Sequence, residues 1–281
     1  MRFAKLHGIG NDYIFVDGFR EELEGVDLPR LAREIADRHT GVGGDGLILA
    51  LPSRRADLRM RMFNSDGSEG EMCGNGLRCL AKFAYEHGIC RRERLVVETL
   101  AGDLGAELFL EGDRVRTVRV DMGRPRLARG EIPMAGGDPA ARAVEEPMEA
   151  AGREYRITAV SMGNPHCVVF REDWEGLDLA GEGRALEHHP LFPRRTNVEF
   201  VRVAGPQRLE VRVWERGSGA TLACGTGACA ALVAACLTGR SDRRATLSLP
   251  GGELSVEWAE DDRVFLTGAA EEVFTGEYRP S

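Results

Sequence analysis

An internal duplication restricts the fold of this 281-residue chain more than any other feature of its sequence. Residues 71–76 read EMCGNG and residues 222–227 read LACGTG, so a Cys-Gly-x-Gly motif occurs twice. Each motif opens an apolar stretch that reaches a glycine fifteen residues after the cysteine. Cys73 and Cys224 stand 151 positions apart, and each is predicted to lie where a helix begins.

The same order relates other parts of the two halves. The pairs at an offset of 151 or 153 are Asn64 with Glu215, Gly46 with Asn197, and Asn11 with Asn164. Matches in order at a nearly constant offset indicate two related domains. We therefore predict a first domain over residues 1–122 and a second over residues 123–269. The last strand, near residues 270–278, is expected to return to the first domain.

Short runs rich in β-branched and aromatic residues, separated by Gly, Asp and Pro, fill most of both halves. This pattern predicts a mostly antiparallel sheet in each half. Three segments have the spacing and the ends of helices, namely Leu28–His39, Gly76–His87 and Gly227–Leu237. Residues 123–153 are rich in Gly, Pro and Ala without a clear period, and we interpret them as the connection between the halves.

The two Cys-Gly-x-Gly motifs each predict a reactive thiol. A cysteine at a helix N-terminus lies beside backbone N–H groups and the positive end of the helix dipole, which lower the pKa of a thiol from about 8.5. The same N–H groups can bind a carboxylate, and the glycines let it approach the backbone. Each motif is thus predicted to combine an activated thiol with part of an anion site.

Two such thiols suit a reaction with two opposed faces. In racemisation at an amino-acid α-carbon, one thiolate removes the proton from one face while the other thiol delivers a proton to the opposite face. Helix N-termini directed at the substrate carboxylate would stabilise the charge that develops in the transition state. This chemistry predicts neither a cofactor nor a metal.

Other uses of the two cysteines fit the sequence less well. A zinc site is disfavoured because the chain has no C-x-x-C pair. A nucleophilic Cys–His enzyme, with His166 as the histidine, would not need two copies of the motif. A redox pair of Cys73 with Cys224 stays an alternative, although we interpret such a disulfide as an inactivated state.

Composition and charge exclude further classes of protein. The net charge of -8 argues against nucleic acid as a partner. The longest apolar run, Ala228–Leu237, is too short to span a bilayer, and the N-terminus lacks a secretory signal, so we expect a cytoplasmic protein with reduced thiols. Only Lys5 and Lys82 could form a Schiff base, and neither lies in a glycine-rich phosphate loop, which argues against pyridoxal phosphate. The GVGGDG run at residues 41–46 follows a predicted helix and precedes a strand, the wrong order for dinucleotide binding.

At these motifs the chain resembles the diaminopimelate epimerases, which interconvert LL- and meso-diaminopimelate without a cofactor in lysine and peptidoglycan biosynthesis. The segments that carry the resemblance are Lys5–Tyr13, Phe63–Ser68, Cys73–Gly76, Met162–His166, Asn197–Val198, Glu215–Gly217 and Ala223–Gly227. They extend over nearly the whole chain. Proline-racemase-like proteins share the Cys-Gly-x-Gly motif but typically have His where Asn75 stands in this chain.

The resemblance implies roles for individual residues. Cys73 and Cys224 would be the catalytic acid–base pair, and His166 and Glu215 would tune the proton affinity of the thiols. The side chains implied as substrate ligands are Asn11, Asn64, Asn164, Asn197, Glu215 and Arg216. The backbone groups implied as ligands of the α-carboxylate are those of Gly74, Asn75, Gly225 and Thr226. Some family members have Gln at the position of Gly46, and glycine cannot supply that contact.

The fold that the resemblance implies is α+β, with two pseudo-symmetric domains, each a curled, mostly antiparallel sheet around a central helix. The resemblance further implies a small-molecule substrate, no cofactor and a homodimer. Two alternatives stay open. One is a racemase of another amino acid on the same scaffold. The other is a binding protein for a diamino acid, although binding alone would not require two thiols.

Overall fold

The computed structural model describes residues 1–279, and the chain forms two compact units. One unit comprises Met1–Asp121 and Thr267–Ser281, and the other comprises Met122–Leu266. Within the described residues, no helix is both long and apolar enough to cross a membrane.

The first unit alternates strands with two helices. Up to residue 121 its elements are β1 (Arg2–Gly8), β2 (Asn11–Asp17), α1 (Leu28–Ala36), β3 (Gly46–Leu51), β4 (Leu58–Asn64), β5 (Glu69–Gly70), α2 (Gly74–Glu86), β6 (Arg94–Thr99), β7 (Gly102–Glu111) and β8 (Arg114–Asp121). The pairs β1–β2, β3–β4, β6–β7 and β7–β8 are antiparallel, whereas β2–β3 and β4–β6 are parallel. The parallel pairs occur where a helix lies between the two strands, as a crossover requires.

The second unit repeats this order of elements. Its elements are β9 (Glu146–Ala150), β10 (Arg153–Ser161), β11 (Pro165–Arg171), α3 (Leu179–Glu187), β12 (Asn197–Gly205), β13 (Arg208–Glu215), β14 (Gly219–Thr221), α4 (Gly225–Leu237), β15 (Arg244–Leu249), β16 (Gly252–Trp258) and the first half of β17 (Val264–Ala269). Here β11–β12 and β13–β15 are parallel, whereas β10–β11, β12–β13 and β15–β16 are antiparallel. The two units therefore share one topology.

One further strand completes the edge next to the first hairpin of each unit. In the second unit this strand is β9, which pairs antiparallel with β10. In the first unit it is β18 (Glu271–Glu277), which pairs antiparallel with β1. The first unit is thus closed by residues from the far end of the chain.

The strand register identifies which residues of the two units are equivalent. Tyr13 in β2 pairs with Gly46 in β3, and His166 in β11 pairs with Asn197 in β12. Tyr13 is therefore the counterpart of His166, and Gly46 that of Asn197. Two residues further along the same strands, Ile48 is the counterpart of Glu199.

A central helix fills each unit. All residues of α2 from Gly74 to Ala84 are buried, and α4 is buried over most of its length. The α4 sequence GTGACAALVAACL is apolar on every side, as expected of a helix surrounded by its own sheet. The predicted α+β architecture, a mostly antiparallel sheet around a central helix in each half, is confirmed.

Three predicted helices are present, with shifted ends. Both α2 and α4 begin two residues earlier than predicted, because Cys73 and Cys224 are themselves the N-caps. The first helix ends at Ala36 rather than at His39. Its end is set by Asp37, whose carboxylate accepts hydrogen bonds from the N–H groups of His39 and Thr40 and so stabilises a turn instead of a further helical turn.

The interpretation of residues 123–153 as a connection is wrong. They belong to the second unit, they include β9, and Ile132, Met134 and Met148 pack in its core. Their apolar residues are too widely spaced to show a period. The helix α3 was also not predicted, because its sequence LAGEGRALE contains two glycines and few apolar residues.

Candidate active site

Cys73 lies at the start of the central helix of the first unit. Its backbone is extended (φ -137°, ψ 118°), and its Sγ accepts a hydrogen bond from the N–H of Gly76 at 3.4 Å. A sulfur atom thus takes the position of the usual N-cap oxygen. The backbones of Gly74 and Asn75 form the first turn, whose N–H groups are the ones that bind anions at helix ends.

Asn11 holds the Cys73 side chain from the neighbouring strand β2. The Sγ of Cys73 donates to Oδ1 of Asn11, and Nδ2 of Asn75 donates to the same oxygen, both at 3.3 Å. The Nδ2 of Asn11 donates in turn to Asp45 at 2.7 Å. Because Asp45 accepts, the amide of Asn11 must present its oxygen to the sulfur.

Tyr13 is a buried residue of this cluster to which the sequence analysis gave no role. Burial raises the pKa of Tyr13 well above its ordinary value, and the charge and hydrogen bond of Cys73 raise it further. A hydrogen bond with Asn11 acts in the opposite direction. Two signals in the sequence could have identified Tyr13. It lies within the motif that contains Asn11, and it stands 153 positions before His166.

Two further positions of the first unit lie beside each other on adjacent strands. Gly46 in β3 pairs with Asn64 in β4. The amide of Asn64 donates to Ser68 Oγ at 2.9 Å, in the turn that follows β4, and not to Cys73. A Cβ at position 46 would overlap the carbonyl oxygen of Phe63, so the strand leaves no room for a side chain there. A glutamine at this position would therefore require a different local backbone.

Cys224 begins the central helix of the second unit in the same way. Its backbone is extended (φ -125°, ψ 114°), and its Sγ accepts from the N–H of Gly227 at 3.3 Å. The hydroxyl of Thr226 lies 3.4 Å from the sulfur. Gly225 and Thr226 form the first helical turn. The thiol itself is buried.

A chain of hydrogen bonds leads from Cys224 to a buried carboxylate. Thr226 Oγ1 accepts from Asn164 Nδ2 at 3.3 Å, so its own proton can point to the sulfur. Asn164 Oδ1 lies 3.0 Å from His166 Nε2, and His166 Nδ1 lies 2.7 Å from Glu199 Oε1. His166 and Glu199 are fully buried.

The expected lowering of the thiol pKa is wrong for Cys224. Burial raises its pKa well above the ordinary value, and the carboxylates of Glu215 and Glu199 raise it further. The Thr226 hydroxyl and the Gly227 N–H lower the pKa, but their effect is smaller. Loss of water and two negative charges thus outweigh the helix terminus, and the second unit favours the neutral thiol.

The other predicted residues of the second unit hold its loops together. Glu215 accepts from the Thr221 hydroxyl at 2.6 Å. Asn197 Nδ2 donates to the Pro165 carbonyl oxygen, and Asn197 Oδ1 accepts from the backbone N–H of Arg216, both at 2.9 Å. The Arg216 side chain donates to the carbonyl oxygen of Arg194 at 3.2 Å.

Each unit thus gathers part of the predicted set around its own cysteine. In the first unit, Asn11 contacts Cys73 and also accepts from Asn75. In the second, Thr226 contacts Cys224 directly, and Asn164 and His166 are linked to it through Thr226. Three contributors were missed: Asp45, Tyr13 and Glu199. Within residues 1–279, no group of three or more His, Cys, Asp or Glu side chains is arranged to hold a metal ion.

The chain matches the family model described as diaminopimelate epimerase over residues 3–128 and 158–273. A diaminopimelate epimerase of Pelotomaculum thermopropionicum is 56% identical over 278 residues, covering 99% of both chains. That of Moorella thermoacetica is 56% identical over 280 residues, again covering 99% of both chains.

Solved structures with low sequence identity share the fold. A probable proline racemase from Agrobacterium radiobacter K84 has a TM-score of 0.72 at 15% identity, covering 100% of this chain and 93% of that one. A hydroxyproline epimerase from Agrobacterium vitis has a TM-score of 0.69 at 16% identity, covering 98% and 91%. Because the chain matches this family model over most of its length and is 56% identical to full-length relatives, it belongs to the diaminopimelate epimerase family and is an isomerase.

Proposed function

We propose that this chain interconverts LL- and meso-2,6-diaminopimelate by proton transfer at the α-carbon, with Cys73 and Cys224 as the two bases and without a cofactor. The observation that carries the proposal is the paired arrangement of the two cysteines. Each is the N-cap of a buried helix, and each sulfur accepts the N–H of the second glycine of its motif. The names of the full-length relatives supply the substrate.

In the proposed reaction, one thiolate takes the α-proton and becomes a thiol, leaving the electron pair on the α-carbon and its carboxylate. The other cysteine gives its proton to the opposite face and becomes the thiolate. The next turnover in the reverse direction restores the first state. General acid–base catalysis of this kind contributes about 10²–10⁴-fold to a rate.

The helix N-termini are proposed to stabilise the negative charge that develops on the carboxylate during this transfer. Backbone N–H groups fixed in position need no rearrangement at the moment of reaction, which is why such sites lower the barrier. The groups assigned to this role are the backbone N–H groups of Gly74, Asn75, Gly225 and Thr226.

The roles of the remaining side chains are assigned from the charges of the substrate. Diaminopimelate carries an ammonium and a carboxylate at each end. We assign the carboxylate of Glu215 to an ammonium group and the guanidinium of Arg216 to a carboxylate. The four asparagines, each with a donor and an acceptor, are assigned to both kinds of group: Asn11, Asn64, Asn164 and Asn197. We further propose a homodimer that supplies lysine and peptidoglycan precursors in the cytoplasm.

The proposal is tested with reduced protein and LL-diaminopimelate in D2O, without added pyridoxal phosphate or metal. The expected result is that deuterium enters the α-position and that the meso isomer forms in the same sample. Active protein that exchanges α-protons on another amino acid, but not on diaminopimelate, would move the function to a different racemase. Protein with reduced thiols that exchanges no amino acid would refute the proposed chemistry.

Asp45→Ala is expected to lower kcat/KM about tenfold, because the Asn11 amide loses the acceptor that fixes its orientation toward Cys73. Asp45→Asn is the matched control, since its side-chain oxygen can still accept from Asn11. Steady-state kinetics of both variants measure the difference. Equal activity of the Ala and Asn variants would show that Asp45 does not orient Asn11.

A further inference from the structure

Glu199 is a buried carboxylate that the proposed proton transfer does not use. It lies in the middle of β12, and its side chain is fully buried. Its Oε1 meets His166 Nδ1 at 2.7 Å, and its Oε2 has no hydrogen-bond partner among the described residues. Burying a carboxylate in this way costs solvation free energy, so its presence here requires a physical reason.

Glu199 lies directly against the loop that carries Cys224. A Cβ built on Gly227 would come within 2.6 Å of Glu199 Oε1 and within 3.3 Å of Cys224 Sγ. The carboxylate therefore occupies the space that a side chain at position 227 would need. Gly227 is also the residue whose N–H donates to the Cys224 sulfur, so Glu199 and the sulfur lie close to the same glycine.

The first unit places an apolar side chain at the equivalent point. A Cβ built on Gly76 would come within 2.6 Å of Cδ1 of Ile48, the counterpart of Glu199. The neighbouring positions also carry different side chains in the two units. Tyr13 and Asn64 of the first unit correspond to His166 and Glu215 of the second. The duplicated loops therefore lie in unlike electrostatic surroundings. Glu199 and Glu215 have no carboxylate at the equivalent positions of the first unit, where Asp45 contacts Cys73 through the Asn11 amide and is paired with Arg38.

A nearby carboxylate opposes the formation of a thiolate, and the effect is strong where water is excluded. The titratable groups that face Glu199 and the Cys224 loop are His166 and Cys167 on β11 and Glu215 on β13. Of these, Glu215 carries the same charge as Glu199. Glu199 also fixes the ring of His166, which holds Asn164 and, through it, the Thr226 hydroxyl beside the sulfur.

We propose that Glu199 keeps Cys224 in the thiol form through its charge, while through His166 it fixes the positions of Asn164 and Thr226 beside the sulfur. Cys224 then rests as the proton donor, and Cys73, which has Ile48 in the equivalent place, rests as the proton acceptor. This division of roles rests on the proposed two-thiol reaction. The effect of Glu199 on the Cys224 thiol can nevertheless be measured without turnover.

The test is a pH titration of protein labelled with 13C at the cysteine β-carbon, followed by NMR, with the Cys224 resonance assigned by its absence in Cys224→Ala. In the wild-type protein Cys224 is expected to stay a thiol at least up to pH 8.5. In Glu199→Gln its titration midpoint is expected to fall by about one pH unit, because the charge is lost while a hydrogen-bond acceptor for His166 remains. Glu199→Ile, which copies the first unit, is expected to shift the midpoint in the same direction.

Glu199→Asp, which keeps the charge, is the matched control and should retain most of the wild-type midpoint. A wild-type midpoint below pH 8.5 would overturn the proposal whether or not any variant folds. An unchanged or raised midpoint in either folded charge-free variant would also overturn it. None of these outcomes depends on diaminopimelate being the substrate.

A second readout applies where the wild-type protein forms the meso isomer. The kcat/KM for LL-diaminopimelate is expected to fall at high pH as the proton donor loses its proton. In Glu199→Gln this alkaline limb should move down by about one pH unit, so that kcat/KM is about tenfold below wild type on that limb. A uniform loss at all pH values would indicate a merely structural role for Glu199.

Discussion

Cys73→Ala is expected to reduce kcat for epimerisation by about 10³-fold or more, because the proposed reaction loses one of its two proton-transfer groups. Cys224→Ala is expected to have an effect of the same size. Circular dichroism and thermal unfolding should show that both variants remain folded. The measurement is the conversion of LL- to meso-diaminopimelate by each purified variant.

The two variants should differ in the isomer on which they still act. With one thiol left, the protein can still exchange the α-proton on the face that this thiol reaches, although it cannot invert the centre. Slow deuterium uptake is therefore expected for one isomer in Cys73→Ala and for the other isomer in Cys224→Ala. Cys236→Ala, which alters a thiol in the last turn of α4, is the control and should retain activity. Near-wild-type epimerisation by Cys73→Ala would refute the two-thiol reaction.

Alkaline pH is expected to destabilise the second unit progressively as the pH rises above about 8.5. Burial raises the pKa of Cys167 and of Cys224 well above the ordinary thiol value. A group with a raised folded-state pKa contributes stability that is fully present below the unfolded-state pKa, about 8.5, and that is lost as the pH rises toward the folded value. Each thiol should therefore lower the free energy of unfolding as the pH rises, with a limiting slope of about 1.4 kcal/mol per pH unit for one group.

Urea unfolding followed by tryptophan fluorescence measures this loss. Trp174, Trp214 and Trp258 all belong to the second unit, so the signal reports that unit. Cys167→Val should reduce the slope by about 1.4 kcal/mol per pH unit, because one titrating thiol is gone. Val169→Ala, a neighbouring core change without a titratable group, should lower stability at every pH and leave the slope unchanged. A wild-type free energy of unfolding that stays constant up to pH 10.5 would contradict the prediction.

The sequence alone was sufficient for the parts of the fold that depend on local pattern. The repeated Cys-Gly-x-Gly motif located α2 and α4 to within two residues, because glycine spacing and an apolar run are local signals. The assignment of residues 123–153 to the second unit could not be predicted in this way. Met134 and Met148 are buried by strands distant in the sequence, and isolated apolar residues do not reveal their partners.

The candidate site likewise has features that local sequence pattern predicts and features that it does not. The position of Cys224 at a helix N-terminus was predicted, whereas the direction of its pKa shift was not. The helix dipole acts over the adjoining residues and can be inferred from the motif. The opposing carboxylates, Glu215 and Glu199, lie on β13 and β12, and their proximity to the Cys224 loop follows from strand register rather than from spacing in the sequence.

The pairing of β1 with β18 has a consequence for the order in which the protein is made. Residues 271–277 leave the ribosome only after the whole of Met122–Leu266 has been synthesised. Until then β1 lacks its neighbour on that side, and its N–H and C=O groups form an open sheet edge. The unit whose synthesis begins first is thus completed only after the other unit has been made, and nascent chains are exposed to edge-to-edge association until β18 is available.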